Sequence, residues 1–402
     1  MFKFNSRIHK ARTPIEIINL INVGGLNFSN IVEVFGASKS GKTTFCYQMA
    51  EYLLEDYGDV ANVLILDAEG AAGNSDRLEM VFNLRIGEDP RVERAPAMTI
   101  EMANDAILRA TARAKTEGKI LLIIWDSIKV SSFNNAKKAI DAQMAAADAK
   151  GEEGAPVERG MTEPLARAQV MAWCLNNTLH AIYDRPVLVL LINQISTKVN
   201  QFNTSVDSSG GLALRHNVNE RIRLDFVKNI GGDKKGDLFK TGTMSHLSLI
   251  KSRTIPSLQD VPVTISDVDG GRIDLKQQVP LLAHQMGILT AKSGGWYSLA
   301  EEHHFPGMPE EAKKSMQYKE IAENPAYVEV LRHALTNSFR AQFKLVDFVH
   351  KRYEEATQGG TPVTPEPKAQ PVNSPAKAES AAPKKPLSGA AAAAAAKRAS
   401  KT

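Results

Sequence analysis

Cysteine is almost missing from this chain of 402 residues, which carries two, Cys46 and Cys174. Two thiols make no disulfide framework. One lies just past a glycine-rich loop and the other in a helical pattern, so both read as buried thiols in a reducing compartment. Long apolar runs are lacking too: none approaches the roughly 20 residues that span a bilayer, which argues against a membrane protein. The opening Met1-Phe2-Lys3-Phe4-Asn5-Ser6-Arg7 has neither an apolar core nor a cleavage pattern, so it does not read as a secretory signal. A cytoplasmic protein is expected. Charge of one sign is scarce: 49 Lys and Arg against 45 Asp and Glu leave a net +4, which selects no partner by itself. There is no internal repeat. The 43% hydrophobic and 23% charged fractions are those of an ordinary globular chain. The length suggests one large domain with an accessory domain or tail.

Strand and helix patterns alternate through the first half. Ile31–Phe35 is a short apolar run ending at the glycine-rich loop. Thr43–Glu55 has Phe45, Met49 and Leu53 at helical spacing. Val60–Asp67 reads as a buried strand, Thr99–Thr116 as a helix, Lys119–Asp126 as a strand, Leu165–Tyr183 as a helix and Pro186–Asn193 as a strand. Near-continuous apolar strands separated by helices predict an α/β fold, a mostly parallel sheet covered on both faces. After about Asn217, Arg221–Phe226, Ser245–Lys251 and Val261–Ser266 read as strands that extend the sheet in antiparallel fashion. A smaller, mostly helical unit is expected over about 281–355. From about residue 356 the chain is Pro, Ala, Lys, Ser and Gly, a basic tail that cannot bury enough apolar surface to offset its ordering entropy. It reads as a solvated tail in preference to a weak, salt-sensitive nucleic-acid contact.

The chemistry starts at Gly36-Ala37-Ser38-Lys39-Ser40-Gly41-Lys42-Thr43, with Thr44 next, a full Walker A sequence between a strand and a helix. In that setting backbone N–H groups cradle phosphates, the helix N-terminus adds its positive end, Lys42 reaches the β- and γ-phosphates, and Thr43 ligates Mg²⁺. ATP and Mg²⁺ are therefore the expected ligands. Asp126 ends an apolar strand where a carboxylate faces the ligand crevice, the position of a second Mg²⁺-holding group. Asp67 and Glu69 end another strand, and on the residues alone either could orient or deprotonate the attacking water. Gln194 ends a fourth strand, where it either senses the γ-phosphate or simply ends the strand.

These pieces, in this order and spacing, resemble RecA-type DNA strand-exchange proteins, and look closest to phage recombinases of the UvsX kind. The likeness runs from about Gly24 to about Leu335. It rests on Ile31-Val32-Glu33-Val34-Phe35-Gly36, Leu66-Asp67-Ala68-Glu69, Ile192-Asn193-Gln194-Ile195, Ser208-Ser209-Gly210-Gly211-Leu212-Ala213-Leu214, Lys251-Ser252-Arg253-Thr254 and Gly294-Gly295-Trp296-Tyr297-Ser298. The resemblance implies a RecA-like core over 24–280, preceded by an oligomerisation segment over 1–23 in which Ile15–Ile21 would be the contact. It favours Glu69 over Asp67 as the catalytic acid and makes Gln194 the γ-phosphate sensor. It has Lys251 and Arg253 complete the ATP site of the neighbouring subunit. It also implies a helical filament on single-stranded DNA that captures double-stranded DNA, with single-strand-binding and mediator proteins as further partners. The cytoplasm would be that of a bacterium or a phage-infected host.

DNA would run along two loops. In the first, about 151–164, Met161 would wedge between bases while Arg159 contacts phosphate, and Arg167 would follow on the next helix. In the second, about 196–211, Lys198, Val199, Phe202, Gly210 and Gly211 are the candidates, with Val199 and Phe202 wedging or stacking. Nothing near Asn74–Arg77 matches the family's adenine-stacking residue. The competing readings are a ring helicase of the same core and a non-exchanging ATP-switched scaffold on DNA. Fewer than about forty residues precede the Walker A loop, too few for a helicase's extra N-terminal domain. The acids and Gln194 argue for turnover.

Overall fold

The computed structural model describes residues 4–70, 75–133, 163–200, 203–208, 211–231 and 239–358. Residues 1–365 cluster as one unit, and the second unit, residues 366–402, lies outside the described residues, as does most of the basic tail.

Strands β1 (Lys10–Ala11) and β2 (Leu26–Asn27) pair antiparallel around helix α1 (Glu16–Ile21). Then come β3 (Asn30–Gly36), α2 (Lys42–Tyr57), β4 (Ala61–Asp67), α3 (Ser75–Phe82), β5 (Val92–Pro96), α4 (Ile100–Glu117) and β6 (Ile120–Asp126). Helix α5 (Glu163–Ile182) precedes β7 (Val187–Asn200), which returns as β8 (Asn203–Ser208). Helix α6 (Gly211–Asn217) leads to β9 (Glu220–Ile230), β10 (Gly242–Lys251), β11 (Leu258–Ser266) and β12 (Arg272–Ile273). The last part holds α7 (Gln278–Gln285), β13 (Leu289–Ala291), β14 (Trp296–Leu299), β15 (Met316–Gln317), α8 (Tyr318–Glu323), α9 (Pro325–Gln342) and α10 (Lys344–Gln358).

The main sheet runs β12-β11-β10-β9-β3-β7-β6-β4-β5, with β8 paired to the outer part of β7. From β9 to β5 every neighbour pair is parallel, the expected α/β arrangement. Alternate residues feed two cores, which is why the strands look continuously apolar in sequence. Leu122 and Ile124 of β6 face one core with Leu188 and Leu190 of β7, while Ile123, Trp125, Val189 and Leu191 face the other.

Two expectations change in detail. The first strand after Asn217 joins β3 in parallel, because α6 supplies the crossover that a parallel return needs, and the antiparallel extension begins at β10. The stretch expected as a second loop is largely a hairpin, with Ile195–Asn200 paired to Asn203–Ser208. Ile195, Thr197 and Val199 on one arm and Thr204 and Val206 on the other are β-branched at every second position, a strand pattern hidden by polar residues between them.

Helix ends follow local chemistry. Thr99 Oγ1 accepts the Met102 N–H at 3.2 Å to start α4, and Gly118, at φ 65°, ends it. Asn324 caps α9 ahead of Pro325. Helix α1 buries Ile17, Ile18 and Ile21 in the chain's own core, beside the buried Ile15. Polar ties join this segment to the last helices. The Glu16 N–H donates to Gln278 Oε1 at 2.8 Å, Gln278 Nε2 donates to the Pro14 carbonyl at 2.8 Å, Arg332 Nε donates to Glu16 Oε1 at 2.6 Å, and His350 Nε2 meets the Leu20 carbonyl at 2.8 Å.

Candidate nucleotide site and hairpin

The loop between β3 and α2 can be made only with glycine at its two ends. A Cβ on Gly36 would lie 1.9 Å from the Leu224 carbonyl oxygen; one on Gly41, at φ +94°, would lie 2.3 Å from Ile265 Cδ1. No side chain caps the start of α2, so its first N–H groups are left facing the loop, where a phosphate would satisfy them. Ser38 and Lys39 are exposed at the loop's crest, and Ala37 is half-buried. Below them Ser40 Oγ donates to the Ala37 carbonyl at 2.9 Å and Lys42 Nζ donates to the same oxygen at 2.5 Å. The Lys42 ammonium is mostly buried; that desolvation lowers its pKa, and the Asp126 and Glu69 carboxylates partly oppose it. Thr44 turns the other way, its hydroxyl donating to the Gly271 carbonyl at 3.2 Å, so its contribution to the loop is its N–H alone.

The acids converge from β4 and β6, which run in register so that Asp67 stands beside Asp126. Thr43 Oγ1 donates to Asp126 Oδ2 at 3.2 Å. Asp126 is 5% exposed. Burial, then Glu69 and Asp67, push its carboxyl up to about 6, against the opposing pull of Thr43 and Lys42. Burial also raises the Tyr47 hydroxyl, and the nearby Asp126 and Asp67 carboxylates add to that shift. Asp67 is held by Arg94, whose Nη2 and Nε lie 2.7 and 3.0 Å from Oδ2. Glu69 is exposed, and its Oε1 accepts the Ser127 hydroxyl at 2.6 Å. Of the two acids, Glu69 is thus the one open to solvent in the crevice.

Thr43 and Asp126 are two oxygen donors in contact, the sparse protein set typical of Mg²⁺ that draws its other ligands from water and phosphate. Among the described residues no group of three His, Cys, Asp or Glu could hold a metal alone. Crowding of carboxylates around a buried Asp126 fits a cation there.

Gln194 lies beside Gly36 in the β3/β7 register. Its side-chain Oε1 accepts Lys129 Nζ at 3.0 Å, and its backbone N–H donates to Asn193 Oδ1 at 2.9 Å. Immediately beyond it β7 enters the hairpin. Lys198 and Val199 lie on that arm, Gly211 starts α6, and Arg159, Met161, Phe202 and Gly210 lie outside the described residues, as does Asn74. Arg167, from α5, spans the carbonyls of Ile128 at 2.5 Å, Lys129 at 3.1 Å and Ser131 at 3.3 Å, stapling its helix to the turn after β6.

Lys251 is not a solvated strand end. Its ammonium donates to the carbonyls of Arg215 and Val218, both at 2.7 Å, and of His216 at 3.3 Å, where α6 ends. A cation at a helix C-terminus satisfies its orphan carbonyls. The next turn is built by Ser252 and by buried Glu220, which accepts the Thr254 hydroxyl at 3.0 Å, and it leaves Arg253 exposed.

Several residues of this region were not singled out from sequence: Ser127, Lys129, Arg94 and Arg221. Ser127 and Lys129 directly follow the strand bearing Asp126, and that adjacency is the signal that could have found them. Arg94 and Arg221 come from other strands and had none. A cavity of about 410 Å³, lined in part by Lys115, Lys119 and Arg185, opens where β6 and β7 begin, at the other end of the sheet from the Walker A loop.

No family model matches the chain. Among curated proteins it is similar to Protein RecA of Bordetella pertussis, 27% identical over 306 residues, 75% of each chain. It is similar also to Protein RecA of Bordetella petrii, 27% identical over 282 residues, 69% of this chain and 68% of the relative. Protein RecA of Legionella pneumophila is 27% identical over 286 residues, 70% and 71%. With the α/β sheet and its flanking helices, these matches support a RecA-like core. Among the described residues no helix is long and apolar enough to cross a membrane.

Proposed function

We propose that the chain is an ATP-dependent recombination protein of the RecA kind, related most nearly to UvsX-like phage recombinases. It assembles as a helical filament on single-stranded DNA and pairs that strand with double-stranded DNA, hydrolysing ATP when DNA is bound. The observation that carries this reading is the continuity of β7. One strand presents Gln194 beside the Walker A loop and then runs on into the hairpin with β8, joining the nucleotide site to the segment in which the second DNA loop is expected.

In this reading the N–H groups of the loop and Lys42 bind the phosphates, and Thr43 with Asp126 hold Mg²⁺, which when bound neutralises phosphate charge. Glu69, oriented by Ser127, takes a proton from water; Gln194 and Lys129 face the γ-phosphate. Arg253, presented outward, reaches the site of the next subunit. Lys251 holds the helix behind it and joins Arg253 there on release from those carbonyls. Neighbour contacts of the N-terminal segment use residues other than the buried isoleucines of 15–21. Arg167 acts on DNA through the turn it staples, with Arg159 and Met161 of the first loop and Lys198, Val199 and Phe202 of the second. Single-strand-binding and mediator proteins act on the filament.

The test is ATP turnover with and without single-stranded DNA, joint-molecule formation with homologous duplex, and electron microscopy with ATP. Stimulated turnover, joint molecules and helical filaments are expected. Closed hexameric rings that unwind a fork would select the helicase instead, and filaments without joint molecules the scaffold.

A further inference from the structure

Beneath the site lies a buried charged pair that none of the roles above uses. Glu33, on β3, is 0% exposed. Its Oε2 accepts Arg221 Nε at 2.6 Å and its Oε1 accepts Asn193 Nδ2 at 2.8 Å. From each partner the network runs toward the hairpin. Asn193 Oδ1 accepts the Gln194 N–H at 2.9 Å, and Arg221 Nη2 donates to the buried Ser208 Oγ at 2.8 Å. Ser208 pairs with Ile195, so these two residues are the base of the β7–β8 hairpin. The Arg221 guanidinium also lies 4.6 Å above the Phe35 ring, next to Gly36.

One carboxylate therefore fixes both feet of the hairpin to the strand that carries the Walker A loop. A buried ion pair contributes little net stability compared with apolar residues of the same shape, since desolvation offsets its attraction. What it does supply is direction: donors and acceptors that are satisfied in one register only. Here that register sets the Asn193 side chain, the Gln194 backbone and the Ser208 hydroxyl together.

We infer that Glu33 and Arg221 are positioning residues that couple nucleotide at the Walker A loop to the β7–β8 hairpin, through Asn193 on one foot and Ser208 on the other. The inference rests on the reading of Gln194 as nucleotide-facing, and needs no DNA.

The experiment compares the unaltered full chain with Glu33→Gln and with Glu33→Gln/Arg221→Met, which removes the charges at similar volume. Amide hydrogen exchange is followed with and without Mg²⁺ and a non-hydrolysable ATP analogue. In the unaltered chain nucleotide should slow exchange both in 42–57 and in 195–208. In the double variant the first change should persist, showing bound nucleotide, while the second falls at least severalfold; the single variant should lose the same response. A hairpin that responds in the double variant as in the unaltered chain, or that never responds, overturns the inference. So does failure of both variants to fold, which would make the pair a requirement of the fold. Hairpin response without DNA-stimulated turnover would instead remove the recombination reading and leave this coupling standing.

Discussion

Replacing Asp126 by Asn should make the nucleotide-free protein more stable while disabling its site. The Asp126 carboxyl titrates at about 6 in the fold against an ordinary 3.8, chiefly through burial and then through Glu69 and Asp67. A raised folded value means that the folded state holds the proton more tightly than the unfolded chain does. Between those two values stability therefore falls as pH rises, and above about 6 the full penalty is present. At about 1.4 kcal/mol per pH unit the penalty is about 3 kcal/mol at neutral pH. Asn keeps an acceptor for the Thr43 hydroxyl and carries no charge. With an unfolding entropy of about 2 cal/mol/K per residue, a chain of this size should gain roughly 4 °C in Tm. The gain should fade as pH is lowered toward 4, where the native Asp is already protonated. The counterpart is ligand response. Nucleotide at about a hundred times its Kd adds about 2.7 kcal/mol to a competent protein, and the Mg²⁺-dependent part of that should vanish in Asp126→Asn. Thermal unfolding at pH 7.5, 6 and 4.5, with and without Mg²⁺ and an ATP analogue, reads all of this. A variant less stable than the native protein at pH 7.5 without ligand, or a gain that ignores pH, would refute the reasoning.

Glu69→Gln should retain nucleotide affinity and lose turnover by about 10²-fold or more, the scale of general acid–base catalysis; equilibrium binding beside single-turnover hydrolysis separates the two. Lys251→Met removes the cation at the end of α6 and should lower stability by about 1–2 kcal/mol in dilute protein. Arg253→Ala, exposed, should change stability by less than about 0.5 kcal/mol yet depress turnover of the assembled form, a contrast read by denaturant melts and ATPase assays across protein concentration. Phe202→Ala should weaken single-stranded DNA by about 1–3 kcal/mol, the worth of one stacked base, with ATP affinity unchanged; fluorescence anisotropy at fixed salt checks it.

The parallel sheet was legible because its strands are buried on both faces and so are continuously apolar, as in Leu121–Trp125 and Val187–Ile192. The Walker A loop was legible because its glycines answer to sterics that any sequence would meet, such as the Leu224 carbonyl against Gly36. Choosing between Asp67 and Glu69 on residues alone was not possible, since the difference lies in Arg94, which β5 brings from 27 positions away. The cap formed by Lys251 was hidden for the same reason: its partners are carbonyls, which carry no sequence signature. The hairpin was missed because polar residues punctuate it and only its β-branched alternation reports a strand. Arg221 and Glu33 are 188 positions apart, and nothing local marks either as a partner.

The ties of Glu16, Gln278, Arg332 and His350 bear on how the protein should be handled at the bench. Residues 14–20 are wedged among helices that come from the far end of the folded chain. Cutting before Pro14 leaves those ties in place, whereas a cut at residue 22 strips the Glu16 partner from Arg332 and opens a greasy trough once filled by Ile15, Ile18 and Ile21. A shortened chain of that kind should be sticky and poorly expressed for reasons unrelated to ATP or DNA. Purification handles and fluorophores belong after residue 358, downstream of the last described helix.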